Sequence, residues 1–289
     1  MNIGIDIGGN HVGMGVVNEA GEIVKTDVLK YENHEANAVD IFQAVNHFIK
    51  ENENDEIESI GIGIPGITTG TRINYTCNLP IGDFDMKDYL KTDLPIYLSN
   101  DARCATIAEY QLPENKKHLN YALVTIGTGI GSGLIINGKL FSGTSGSAGE
   151  IGHMVIDKGG LQCNCGRRGC FERYASTAAL KRMTGLDSLQ EIFYLVEKND
   201  VIKEIFETYI ENLAEGLANF INIFDIEAIS IGGGFSKHGD KFIPELQKKV
   251  LKKVCNKYTS NIEIKAATLE NNAGIIGASL LHEYVVGDA

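Results

Sequence analysis

The sequence predicts an α/β protein built from two similar lobes, and three observations support this fold class. Short apolar strands alternate with stretches of helical periodicity along the whole chain of 289 residues, which is the pattern of α/β folds. An opening unit of strand, glycine-rich turn and second strand occurs twice. The chain is also long enough for two hydrophobic cores of ordinary domain size.

The repeated unit defines the two lobes. The first copy is a strand from Ile3 to Ile7 that runs into Gly8-Gly9, and the second is a strand from Tyr121 to Ile126 followed by the glycine-rich turn Gly127–Gly133. After a shift of 118 positions three glycines of each copy match: Gly9 with Gly127, Gly13 with Gly131, and Gly15 with Gly133. The lobes are therefore predicted at residues 1–118 and 119–271.

The other elements follow in alternation. Val39, Phe42, Val45 and Ile49 recur at helical spacing, and a second helix is expected from Asp101. Further strands are predicted from Gly13, from Glu22, from Leu134 and at residues 59–64, 95–98, 228–231 and 262–265. Helical stretches extend to about Phe224, and residues 273–284 close the chain as a helix.

Composition excludes several functional classes. The net charge of −12 argues against non-specific binding of nucleic acid, which needs many Lys and Arg side chains. No apolar run approaches the length of a membrane span, and the first residues lack the features of a signal peptide. We therefore expect a cytoplasmic protein without nucleic-acid or membrane partners.

The glycine turns are candidate phosphate sites. Glycine lets backbone amides face an anion without an intervening side chain. The turns 8–9 and 127–129, with Gly232-Gly233-Gly234 after a third strand, are predicted to bind the phosphates and adenosine of ATP. Asp6 lies just before the first turn and is expected to hold Mg²⁺ through water. The alternative is that these are only tight hairpins.

Asn100-Asp101 stands at the end of a strand and opens a helix. An aspartate there is most often a simple N-cap. Its place at a strand end, where α/β proteins form ligand clefts, favours a catalytic carboxylate. We predict that Asp101 takes a proton from a sugar hydroxyl as that oxygen attacks the γ-phosphoryl group of ATP.

One segment carries a metal-ligand pattern. His153 is followed by Cys163, Cys165 and Cys170, and three thiolates with one imidazole suit tetrahedral Zn²⁺. Buried free thiols and a redox pair are the alternatives, although CxC differs from the CxxC of thioredoxin-like sites. Four protein ligands leave no open position, so the zinc is predicted to be structural. Glu150 and Glu172 flank this set as surface carboxylates or as ligands of sugar hydroxyls.

These residues resemble the ROK family of repressors and sugar kinases along nearly the whole chain. Asp6-Ile7-Gly8-Gly9 and Gly127-Thr128-Gly129 are similar to its two phosphate motifs, and Gly149–His153 with the cysteine segment up to Glu172 is its most specific signature. The resemblance implies an actin-like, ribonuclease-H-like fold with two lobes around a cleft. It also implies Mg-ATP as donor, a hexose-type acceptor, a homodimer, and a C-terminal helix, 272–289, that completes the first lobe.

The resemblance also assigns roles to residues. It implies that Asp101 is the general base, that Asn100, Glu150, His153 and Glu172 bind sugar, and that His153 and the three cysteines bind zinc. The chain departs from the family at Asn10-His11, where Thr-Lys is usual, and we expect the Asn10 amide to contact a phosphate oxygen differently.

The leading hypothesis is phosphorylation of a hexose at the 6-hydroxyl, with glucose as the first expectation and N-acetylmannosamine next, ahead of allose and fructose. The alternatives are a sugar-sensing transcriptional regulator that lacks its DNA-binding domain and a sugar-binding protein without kinase activity.

Overall fold

The computed structural model describes residues 1–9, 11–31, 38–76, 79, 83–255 and 261–285. These residues cluster into two compact units. The first comprises Met1–Lys116, Lys139–Ala148 and residues from Leu269 onward, and the second comprises Lys117–Gly138 and Gly149–Thr268. The lobe boundaries expected at residues 118 and 271 stay a prediction.

The first unit is built on a sheet with strand order β3-β2-β1-β4-β8. Strands β1 and β2 are antiparallel, whereas β1, β4 and β8 are parallel. The strands of this unit are β1 (Asn2–Ile7), β2 (His11–Val17), β3 (Ile23–Lys30), β4 (Ser59–Ile64), β5 (Gly66–Thr69), β6 (Arg72–Thr76), β7 (Phe84–Asp85), β8 (Ile96–Asn100) and β11 (Lys139–Leu140). Its helices are α1 (Ala38–Asn52), α2 (Asp101–Gln111), α3 (Pro113–Lys116), α9 (Ala273–Ser279) and α10 (Leu281–Tyr284).

The second unit repeats the central strand arrangement in the order β10-β9-β12-β13. Its first pair is antiparallel, and β9, β12 and β13 are parallel. The strands are β9 (Tyr121–Ile126), β10 (Ile130–Ile136), β12 (Ala228–Gly232) and β13 (Glu263–Ala266). The helices are α4 (Glu172–Ala175), α5 (Thr177–Thr184), α6 (Leu189–Val196), α7 (Asp200–Phe224) and α8 (Gly239–Lys253). Short 3-10 helices occur at Met86–Asp88, Ile151–His153, Gly234–His238 and Glu270–Asn272. The repeated strand order confirms the prediction of two units of one design.

Period-two alternation explains how the first sheet is covered on both faces. In β4 the isoleucines at positions 60, 62 and 64 enter the core of the first unit, while Gly61 faces helix α9. A Cβ atom on Gly61 would lie 1.7 Å from the carbonyl oxygen of Ala278, and one on Gly4 would lie 2.0 Å from that of Ile275. The glycines thus let the backbone of α9 lie directly on the sheet.

Three details differ from the sequence-based expectations. The glycine-rich turn is shorter than predicted, because Gly131 and Gly133 lie inside β10 and pair with β9. Val39 is 60% exposed, whereas Phe42, Val45 and Ile49 form the buried face of α1. The C-terminal helix is broken at Leu280, where the backbone leaves the helical conformation between α9 and α10. Among the described residues, no helix has the length and apolar character that crossing a membrane demands.

Candidate active site

Two carboxylates approach each other at one edge of the first sheet. Asp6 lies near the end of β1, and Asp101 directly follows the parallel strand β8. Because both strands end at the same edge, their side chains lie close enough for the charge of Asp101 to act on Asp6. Burial, followed by that charge, raises the pKa of Asp6 from 3.8 to about 7.

Asp101 is the first residue of α2 rather than its N-cap. The N-cap is Asn100, whose side-chain oxygen accepts a hydrogen bond of 3.0 Å from the Ala102 N–H. Asp101 Oδ1 accepts a second bond of 2.9 Å from the same N–H. Burial raises the pKa of Asp101, and the hydrogen bond from Ala102 opposes this shift in part. Asn100 and Asp101 thus share the capping of α2, and the half-buried Asp101 carboxylate has a raised pKa.

The first glycine turn is stabilised by its own backbone and by Tyr31, which directly follows β3. The Gly8 N–H donates to the His11 carbonyl over 2.8 Å, which closes the turn. The Tyr31 hydroxyl donates to the carbonyl oxygen of Gly8. Gly9 is exposed, and within the described part of the chain no atom lies within 4 Å of where its Cβ would be. Asn10, the residue expected to contact phosphate, lies outside the described residues.

Two further glycine turns lie side by side in the second unit. Gly127–Gly129 follows β9, and Gly232–Gly234 ends the adjacent parallel strand β12. The second of these turns contacts the end of β9, since Gly233 has φ +81° and a Cβ on it would lie 2.5 Å from the Ile126 carbonyl oxygen. Gly127 is fixed by Thr177, whose N–H and hydroxyl both donate to its carbonyl at 2.9 and 2.6 Å. Thr128 is exposed at the tip of the first of these turns.

The four expected metal ligands come together in the second unit. The candidate ligand atoms of His153, Cys163, Cys165 and Cys170 all lie within 4.8 Å of one another. The Cys165 and Cys170 sulfurs are 3.5 Å apart, and the Cys163 sulfur is 3.7 Å from His153 Nδ1. Tetrahedral ligands of Zn²⁺ are about 3.7 Å apart when Zn–S bonds are about 2.3 Å long. The donor set and its spacing therefore fit a zinc ion.

Glu172 connects this cluster with the second glycine turn. Its Oε1 lies 3.0 Å from the Cys163 sulfur and 3.7 Å from His153 Nδ1. Its Oε2 faces Gly129, where a Cβ would lie only 2.7 Å away. The preceding residue, Phe171, is anchored in the core, since its ring packs on Gly216 of α7. Glu150, by contrast, is exposed at the start of the 3-10 helix that carries His153.

Some supporting residues were missed by the sequence reasoning. Tyr31 and Thr177 lie 23 and 50 positions from the glycines they hold. No local pattern marks such distant partners, because tyrosine at a strand end and threonine at a helix start are ordinary. Only the pairing of β2 with β3, and the position of the start of α5 beside Gly127, bring them to the turns.

Comparison with known proteins places the chain among sugar kinases and related regulators. A family model described as the ROK family matches residues 2–284. A glucokinase of Halalkalibacterium halodurans is 31% identical, over 96% of this chain and 94% of that protein. A xylose repressor of Bacillus subtilis is 31% identical, over 96% of this chain and 76% of that protein. An N-acetylmannosamine kinase of Haemophilus influenzae is 31% identical, over 96% of this chain and 93% of that protein.

Solved structures agree with this grouping. A ROK family glucokinase from Streptomyces griseus, in complex with glucose and AMPPNP, matches with a TM-score of 0.80 at 29% identity, covering 97% of this chain and 98% of that one. The predicted α/β class and actin-like ATPase fold are confirmed. With a family model that spans nearly the whole sequence, the chain belongs to the ROK family.

Proposed function

We propose that this protein is an ATP-dependent sugar kinase that phosphorylates a hexose, glucose first, at the 6-hydroxyl. The observation that carries the proposal is the pair Asp6 and Asp101, two half-buried carboxylates with raised pKa values at one sheet edge. Neighbouring carboxylates with perturbed pKa values are typical of functional sites. The kinship with glucokinases supports the same reaction class.

Asp101 is the general base in this proposal. Its raised pKa increases its affinity for the proton of the sugar hydroxyl, and its attachment to the first turn of α2 holds it in a fixed position. Asp6 would hold, through water, the Mg²⁺ that is bound to ATP. The two carboxylates therefore have different tasks, one on the acceptor and one on the donor.

The glycine turns bind the phosphates and the adenosine. We assign the β- and γ-phosphates to Gly8-Gly9 and to Gly127–Gly129, whose exposed residues are Gly9 and Thr128, since glycine turns present backbone amides to an anion. Gly232–Gly234 adjoins the second of these turns and is assigned to the adenosine part. Asn10 is expected to donate to a phosphate oxygen through its amide.

Zn²⁺ would be held by His153, Cys163, Cys165 and Cys170 as a structural ion. Four protein ligands complete its coordination, so the ion would shape the loop and take no part in phosphoryl transfer. His153 faces the thiols through Nδ1, which leaves Nε2 as the nitrogen for a sugar hydroxyl. Asn100, Glu150 and Glu172 complete the proposed sugar-binding set.

The most specific part of the proposal is the identity of the acceptor sugar. Glucose is preferred because the set of Glu150, His153 and Glu172 is complete, and N-acetylmannosamine, allose and fructose are the alternatives. The free thiols suit the reducing cytoplasm, where we place the protein. The expected homodimer, and the absence of nucleic-acid partners expected from the acidic charge, remain predictions.

A sugar-responsive regulator is the second candidate, because the xylose repressor of Bacillus subtilis is as similar to this chain as the glucokinase is. Release of ADP, measured by a coupled assay across hexoses and N-acetylhexosamines, separates the two. A far higher kcat/KM for glucose supports the full proposal. A preference for another sugar corrects the substrate. No turnover on any sugar, with sugar binding retained in calorimetry, favours the regulator.

A further inference from the structure

A buried serine outside the expected site lies against the segment that carries Glu150 and His153. Ser132 is on β10, paired with Val124 of β9, and is 6% exposed. Its neighbours on the same face of the strand, Ile130 and Leu134, belong to the hydrophobic core of the second unit. A hydroxyl at this position needs a hydrogen-bond partner, because burying one without a partner is costly.

The partner is the backbone of the glutamate–histidine segment. The Ser132 hydroxyl donates to the carbonyl oxygen of Gly149, and the Ile151 N–H donates to the same oxygen over 2.7 Å. Gly149 has φ +88°, and a Cβ on it would lie 3.3 Å from Ser132 Oγ. This conformation and this close approach both favour glycine.

A second contact sets the direction of the segment. Gly152 lies against Ile130, where a Cβ would be 2.3 Å from the Ile130 carbonyl oxygen. Residues 149–152 therefore lie along β10 and touch it at two points. Glu150 lies between these two contacts, and His153 directly follows the second.

We propose that Ser132 is a positioning residue that fixes the Gly149–His153 segment and so sets where Glu150 meets the sugar. The inference rests on the proposed sugar-kinase function, although its structural part is testable without that function. Ser132 itself touches neither reactant. It acts through the Gly149 carbonyl, whose second bond from Ile151 closes the turn before the histidine.

The chain offers a matched control in the same sheet. Ser230 on β12 is completely buried, and its hydroxyl has no hydrogen-bond partner among the residues that the structure describes. Ser230→Ala removes a buried hydroxyl without removing a hydrogen bond. Ser132→Ala removes a hydroxyl together with its bond. The difference between these variants isolates the contact with Gly149, and Ser132→Thr restores a hydroxyl at the same place.

Two measurements on the zinc-loaded full chain test the inference. In hydrogen exchange, Ser132→Ala should speed exchange of the amides at positions 151 and 153 about fivefold, the factor expected for one ordinary hydrogen bond. Its KM for the sugar should rise by a similar factor while its KM for ATP stays unchanged. Ser230→Ala should leave both readouts at wild-type values, and Ser132→Thr should recover most of the loss.

The possible results distinguish the positioning role of Ser132 from the proposed kinase function. Unchanged exchange at positions 151–153 in Ser132→Ala overturns the positioning role, whatever the activity. Equal rises in KM for sugar and for ATP, with faster exchange throughout the chain, also overturn it, because that pattern reports general destabilisation. A wild-type protein that phosphorylates no sugar refutes the proposed function, while the exchange experiment still decides the role of Ser132.

Discussion

Replacing Asp6 by asparagine should stabilise the free protein above neutral pH although it removes a residue of the proposed active site. Burial and the charge of Asp101 raise the pKa of Asp6 from 3.8 to about 7. Each tenfold change in an ionisation constant corresponds to about 1.4 kcal/mol. The ionised Asp6 carboxylate is therefore about 4 kcal/mol less stable in the folded protein than in the unfolded chain.

The pH dependence follows from the direction of the shift. Below pH 3.8 the carboxyl is protonated in both the folded and the unfolded states. Between pH 3.8 and about 7 only the unfolded chain releases the proton, so the stability of the wild type falls as the pH rises. Above about 7 the loss is complete and constant. Asparagine mimics the protonated carboxyl and avoids this loss.

Calorimetry without added Mg²⁺, from pH 4 to pH 8, measures the effect. Asp6→Asn should melt at about the wild-type temperature near pH 4 and about 10 °C higher at pH 8, given the usual change in Tm per kcal/mol. Asp55→Asn is the control, since Asp55 is an exposed carboxylate of the same unit. A variant that is no more stable than the wild type at pH 8 would refute the argument that Asp6 is a costly buried charge.

Three further outcomes are expected. Asp101→Asn should abolish turnover while the Kd for sugar stays within about twofold, because the amide keeps the shape but not the basicity; near-normal kcat would remove Asp101 as the base. Gly277→Ala should lower Tm by the equivalent of about 3 kcal/mol or more. The added Cβ would lie 1.6 Å from the Cys104 carbonyl oxygen and would force α2 away from α9. An unchanged Tm would contradict this packing. Metal analysis should find one zinc per chain in the wild type and much less in Cys170→Ser, and a zinc-free wild type purified without chelator would refute the loop assignment.

Local sequence patterns were sufficient for most elements of the sheets. The strands at 59–64 and 121–126 begin and end at the predicted residues, because a strand that is covered on both faces is a nearly continuous run of uncharged residues. The repeated glycine hairpin correctly indicated two similar units. Val39 was misplaced, since an apolar residue at helical spacing in the first turn of α1 meets no partner on the core.

Local sequence patterns predicted only part of the chemistry of the site. The cysteine segment could be interpreted because ligand type and spacing are local properties, and the structure brings its four donors together. Glu172 illustrates what could not be read. Its contacts with Cys163 and with Gly129 join the cysteine segment to a glycine turn 43 residues earlier in the chain.

The amino-acid sequence by itself determined the fold class, the family resemblance, the metal-ligand set and the candidate base, because each depends on short patterns of residue type. Only the tertiary structure decided that the charge of Asp101 acts on Asp6 and that Ser132 holds the Gly149 carbonyl. These facts depend on pairing between strands and on burial. Both arise from contacts between residues far apart in the chain, so no local pattern records them.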